Sequence, residues 1–123
     1  MGTRFIATQE SMAPEAYKRM IVGTNMDGIT LTKAFGGLET NMIRQSIEAA
    51  GLDPDTLPER GMIDVAKDLD PGSKRRYRDI WSAGHTAGCI HDVPVVRALV
   101  GRLRHEYQAA IATTANASLS DRH

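Results

Sequence analysis

Two short runs in this chain carry residue types that bind anions and flat rings. The first is Met1, Gly2, Thr3, Arg4 and Phe5. A glycine lets an anion approach the backbone, and the N–H groups of Gly2 and Thr3 can donate to a phosphate. Followed by Arg4, Phe5 and Ile6, read as a short β-type run, the pair resembles a phosphate-cradling turn at a strand end. It is equally a start residue followed by a small flexible pair. Read as a cradle, it is the middle of a site, with further chain expected upstream. The second run is Ser82, Ala83, Gly84, His85, Thr86, Ala87, Gly88 and Cys89, small or polar residues between Trp81 and Ile90. Such a run is either a packing turn or a backbone platform for a planar ring, with Ser82 and His85 supplying hydrogen bonds.

Other chemistry is thin. One cysteine and four histidines show no ligand spacing of the kind zinc needs, so no metal site is expected. Cys89 stands in an apolar stretch and reads as a buried, inert thiol. A single cysteine forms no internal disulfide, which suits a reducing compartment. Fifteen basic and fifteen acidic residues leave no net charge, hence no field to attract nucleic acid or an anionic membrane. The basic run Lys74, Arg75, Arg76, Tyr77 and Arg78 is accordingly a solvated helix face. No apolar run approaches the roughly twenty residues of a membrane span, and no leader opens the chain, so the expectation is a soluble, cytoplasmic protein.

The elements that must position the two runs are mostly helical. Ala16, Tyr17, Met20, Ile21 and Thr24 recur at helical spacing after Pro14, with Gly23 placed to end the helix. Ile29, Thr30, Leu31 and Thr32 suggest a brief strand between Gly28 and a tight loop at Gly36 and Gly37. Leu38, Met42, Ile43, Ile47 and Ala50 read as the stripe of a second helix, ended by Gly51 in a left-handed conformation with Leu52 as its follow-on contact. From Asp53 to Gly72 the spacing predicts a surface connection with a helical turn or two at 62–69. Ser73 can cap the basic helix. Asp92 is expected to cap the longest helix, whose stripe is Val96, Leu99, Val100, Leu103, Tyr107, Ala110 and Ile111. A frayed tail is expected after Ala112. At 123 residues the chain is long enough for one ordinary core and too short for two.

Four segments carry a family resemblance. MGTRFIATQES with Pro14, Glu15, Ala16 and Tyr17 resembles the segment ending the last barrel strand of the nitronate monooxygenases, formerly called 2-nitropropane dioxygenases. LTKAFGG with the following NMIR is similar to that family's glycine loop and Asn–Arg helix. SIEAAGLDPD resembles its next helix end, and DIWSAGHTAGCIHDVPVV its glycine-rich loop near the flavin and the start of its closing helix. The segments stand in the family's order across residues 1 to 112.

The resemblance implies an FMN enzyme on a (β/α)8 barrel that oxidises alkyl nitronates or nitroalkanes with O2. By it the chain is the C-terminal part, an α+β, mostly helical piece with a small helical lid. Residues 1–12 would end the last barrel strand and hold the phosphate motif, 13–91 form the lid, 92–114 the closing helix, and 115–123 a disordered tail. Cofactor contacts carry over to Gly2 and Thr3 at the phosphate and to Ser82, Ala83, Gly84 and His85 near the ring; many relatives have Gln at the place of His85. The family's base histidine would lie upstream, so no catalytic residue is assigned here and little turnover is expected of this chain alone. The same motifs are shared in outline by flavin-dependent enoyl reductases and NADH:quinone reductases. A third reading is a non-catalytic helical module that associates with itself, giving a homo-oligomer, or with a partner through the Leu99, Leu103 and Tyr107 stripe.

Overall fold

The computed structural model of the chain describes residues 1–57 and 80–120, with side chains through 118. Along the described residues run α1 (Gly2–Ile6), α2 (Glu15–Gly23), β1 (Ile29–Thr32), β2 (Thr40–Ile43), α3 (Arg44–Ala49) and α4 (Val96–Ser120), with 3-10 turns at Met26–Gly28 and His85–Cys89. This is the expected mostly helical α+β composition. The helical turn read at 62–69 and the basic helix read from Ser73 to Arg78 lie outside the described residues.

Local signals set the early elements. Proline has no N–H to lose at a helix start, and α2 begins directly after Pro14 and ends at Gly23. Ile21 is its fully buried residue, with Tyr17, Met20 and Val22 packed partly against the same core. Beyond α2, the Thr24 hydroxyl donates to the Met20 carbonyl at 2.6 Å, and Asn25 Oδ1 accepts from the Gly28 N–H at 2.9 Å. Gly28 is required by space, since a Cβ there would stand 2.9 Å from Thr24 Cγ2. β1 then runs over the four residues expected.

The second helix is shorter than its apolar stripe suggests. Thr40–Ile43 is extended and pairs antiparallel with β1, Ile29 opposite Ile43 and Thr32 opposite Thr40. The stripe Leu38, Met42, Ile43 and Ile47 fits helical spacing, but the backbone of 40–43 satisfies its donors and acceptors across a ladder that β1 offers. The turn between the strands uses Gly37 at φ 73, with its N–H on the Lys33 carbonyl at 2.9 Å. α3 therefore keeps only Arg44–Ala49. Its end follows the expected left-handed pattern, with Gly51 at φ 80 and the Leu52 N–H reaching back to the Ile47 carbonyl at 3.2 Å.

The hairpin gains a third line of backbone at 81–83. The Ile43 N–H donates to the Trp81 carbonyl at 2.8 Å, the Ala83 N–H to the Asn41 carbonyl at 3.3 Å, and Met42 bridges Ser82 antiparallel. Side chains alternate across this small sheet. Ile29, Ile43 and Ala83 join Ala7, Ile21, Ala87 and Ile90 in one buried cluster. Met42 packs against the other, formed by Phe35, Ile47 and Ile80.

Two termini depart from expectation. Arg4, Phe5 and Ile6 are helical in α1, not β-type. No strand of the described residues lies beside them to supply a ladder, and the segment closes its own bonds, Arg4 N–H to Met1 carbonyl at 3.1 Å and Thr8 hydroxyl to Phe5 carbonyl at 2.7 Å. Asp92 does not cap α4. Its carboxylate accepts hydrogen bonds from Nη1 and Nη2 of Arg102, at 3.1 and 2.8 Å, while the Val96 N–H donates to the two carboxylate oxygens of Glu10 at 3.1 and 2.9 Å. The frayed tail expected after Ala112 is instead helical as far as Ser120, in an alanine-rich stretch where the Thr113 and Thr114 hydroxyls bond back to the carbonyls four residues earlier.

Candidate functional site

The two runs singled out by their chemistry meet in space. Thr3 is half-buried in α1, and its Oγ1 accepts the Gly84 N–H at 2.9 Å across 81 residues of sequence. A hydroxyl that accepts one bond still has its own proton to donate. The N–H groups of Gly2 and Thr3 precede the first hydrogen bond of α1, so the helix uses neither. Gly2 is exposed, and a Cβ built on it would meet nothing within 4 Å, so open space lies beside its backbone. Arg4 is the next residue, partly exposed, with Nη1 3.5 Å from Glu106 Oε2 of α4. Two backbone donors, one hydroxyl and a guanidinium thus share one short segment, a donor set suited to a phosphate.

The second run is fixed residue by residue. Ser82 is exposed, and its carbonyl accepts the phenol of Tyr17 from α2. Ala83 is buried, its methyl in the first core cluster and its N–H spent on β2. Gly84 is half-buried between the Thr3 and Thr86 hydroxyls, which would stand 3.5 and 3.6 Å from a Cβ at that position. His85 is exposed and opens the 3-10 turn, in which Ala87 and Ile90 point inward. Ser82, Gly84 and His85 are therefore reachable, whereas Ala83 presents core packing and no free amide.

Cys89 is exposed, not buried. In a turn of about three residues the inward positions are Ala87 and Ile90, which leaves Cys89 facing out. With Met1, Arg4, Thr86, Ile90 and Glu106 it lines a cleft of about 310 Å³ beside α1. Among the described residues no group of three His, Cys, Asp or Glu side chains is placed to hold a metal, and no helix is long and apolar enough to cross a membrane.

Sequence reasoning did not find Tyr17. Besides its bond to Ser82, its ring stacks on Trp81, centroids 5.0 Å apart and planes 15° from parallel. Burial raises the phenol above its ordinary value of 10.0. The helical spacing marks Tyr17 only as a core-facing position, and nothing in the chain's order pairs it with a residue 65 positions away.

Known proteins resemble this chain. A family model described as nitronate monooxygenase matches residues 1–106. The nitronate monooxygenase of Paraburkholderia phytofirmans is 29% identical over 119 residues, covering 90% of this chain and 32% of its own. A FabK mutant from Thermotoga maritima has a similar structure, with a TM-score of 0.61 at 20% identity over 94% of this chain and 36% of its own. The latter likeness is one of fold. The chain spans about a third of the length of these two relatives.

Proposed function

Because the chain belongs to the nitronate monooxygenase family, we propose that it is the C-terminal part of an FMN-dependent oxidoreductase that oxidises alkyl nitronates or nitroalkanes with O2 in the cytoplasm. The observation that carries this reading is the hydrogen bond from the Gly84 N–H to Thr3 Oγ1, which joins a phosphate-suited segment to a reachable small-residue run. The residues fit the cofactor. The Gly2 and Thr3 amides and the Thr3 hydroxyl would hold the phosphate, while Ser82, Gly84 and His85 would border the ring. When bound, FMN supplies the electron-accepting centre that nitronate oxidation by O2 requires.

The chain's own part is to bind and orient. Ala83, locked in the core, fixes the run against the sheet, while Ser82 and His85 on either side of it stay exposed. Residues 13–91 serve as a lid that excludes water, and α4 closes on a barrel supplied by further protein. His85, His91, His105 and His123 receive no role as the base. Little turnover is therefore expected of the 123-residue chain alone.

An FMN titration of the purified chain, followed by flavin fluorescence with far-UV circular dichroism in parallel, tests the reading. Saturable binding by a folded chain supports the half-site. A folded chain that leaves FMN free overturns it, and nitronate-dependent O2 uptake by the isolated chain would overturn the expected inactivity. A second reading is self-association through α4, but not through the expected stripe, because Leu99 is fully buried and Leu103 half-buried; the exposed apolar residues that favour it are Val100, Tyr107 and Ile111, at 50%, 69% and 52%. Sedimentation of the chain decides it, and a clean monomer argues against it.

A further inference from the structure

Resting on the half-site reading above, we infer that Tyr17 is a positioning residue for the ring side of the flavin site, holding the Ser82–Gly84 backbone from its outer edge. The argument starts from strand alternation. In the line of backbone at 81–83, the Trp81 carbonyl and the Ala83 N–H point to β2 and are bonded there. Ser82 lies between them, so its carbonyl points the opposite way. That outer edge has no neighbouring strand among the described residues; instead side chains from α1 and α2 take its polar groups. The Tyr17 phenol takes the Ser82 carbonyl, and Thr3 Oγ1 takes the Gly84 N–H.

The two clamps act on different ends of the site. Thr3 sits within the phosphate segment, whereas Tyr17 touches only the ring side. Its hold is double, because the ring stacks on Trp81, the residue immediately before Ser82, while the hydroxyl holds Ser82 itself. Trp81 is in turn anchored by its N–H on Ser46 Oγ at 3.0 Å, inside the buried start of α3. Tyr17 therefore joins α2 to the run at two adjacent residues. The phenol is protonated, and hence a donor, through the neutral range, and burial raises it further above 10.0.

Phenylalanine at position 17 keeps the stack and removes only the hydroxyl. In Tyr17→Phe the dissociation constants of FMN and of riboflavin, which lacks the phosphate, are expected to rise by the same factor, about 3- to 10-fold for one lost hydrogen bond. The constant for inorganic phosphate competing with FMN should stay at the wild-type value. Amide hydrogen exchange at Ala83 and Gly84 should quicken, while far-UV circular dichroism is unchanged. Tyr17→Leu, which also loses the stack, should weaken both flavins further. Wild-type flavin affinity in Tyr17→Phe overturns the inference, as does a rise confined to FMN, since that would place Tyr17 at the phosphate. If the wild-type chain itself binds neither flavin, the half-site reading fails, and exchange then judges Tyr17 alone: faster exchange at Ala83 and Gly84 upholds the anchor, and unchanged exchange refutes it.

Discussion

Replacing Thr3 by valine tests the contact on which the functional reading stands. The substitution is nearly isosteric, so packing against the loop is kept while the oxygen that accepts the Gly84 N–H at 2.9 Å is removed. An amide left without a partner in a fully dry site costs about 1–3 kcal/mol. Gly84 and Thr3 are each half-buried, so water can partly replace the lost acceptor and the lower end, about 1 kcal/mol, applies. The same oxygen carries the proton that would donate to the phosphate, and a hydrogen bond to a charged group is worth about 1.5–3 kcal/mol. FMN affinity should therefore fall by roughly ten- to a hundred-fold, a larger effect than that on stability. Thr3→Ser keeps the hydroxyl and should sit near wild type in both. Urea unfolding by far-UV circular dichroism gives the first quantity, and flavin fluorescence titration the second. Valine and serine variants that match each other in both measurements would refute the reasoning.

Three further outcomes follow from the packing and the titratable groups. Leu99 is the fully buried residue of α4, so Leu99→Ala should destabilise the chain by about 2–5 kcal/mol in urea, whereas Tyr107→Ala, at a site 69% exposed, should cost less than about 0.5 kcal/mol. Glu10→Ala removes the oxygens that accept the Val96 N–H and should lower stability by about 0.5–2 kcal/mol, the range for loss of a helix cap. The Tyr17 phenol titrates above its ordinary value of 10.0 when folded, so its contribution is complete below pH 10 and is lost as pH rises through the raised folded value. Denaturation midpoints measured from pH 8 to 11 should fall at the alkaline end in wild type, and Tyr17→Phe should lack that component.

What could be read directly from the chain is what neighbours in sequence decide. Pro14 and Gly23 bracket α2, and Gly51 with Leu52 makes the helix end, because each involves bonds between residues at most five apart, while the β-branched run Ile29 to Thr32 marks β1 by residue type. Several of the misreadings involve a partner far along the chain. Residues 40–43 carry an apolar spacing compatible with either helix or strand, and β1 breaks the tie. Asp92 has the chemistry of a cap, but Glu10, 86 residues away, reaches the helix start first and leaves Asp92 to Arg102. Cys89 depends on the phase of a short turn, which Ala87 and Ile90 fix by entering the core. In the site itself, residue types could mark Gly2, Thr3 and the 82–85 run as chemically apt. Only the fold could bring Thr3 to Gly84 and Tyr17 to Ser82.

The length of α4 sets the physical demand that its setting must meet. A helix of 25 residues extends about 37 Å, yet beyond the buried Leu99 and half-buried Leu103 every residue from Arg104 to Ser118 is exposed. From Tyr107 to Ser120 there is no Asp, Glu, Lys or Arg, so this half gains nothing from the side-chain ion pairs that support a solvated helix. What it does have is alanine-rich propensity and an apolar side at Tyr107, Ala110 and Ile111. Propensity alone leaves a stretch this short marginal in water. Its apolar side therefore needs an apposed surface, which a barrel would supply in the proposed enzyme and a second copy in the self-associating module. The same helix is thus the element by which the half-site at Thr3 and Gly84, tied to α4 through Arg4 and Glu106, would be completed.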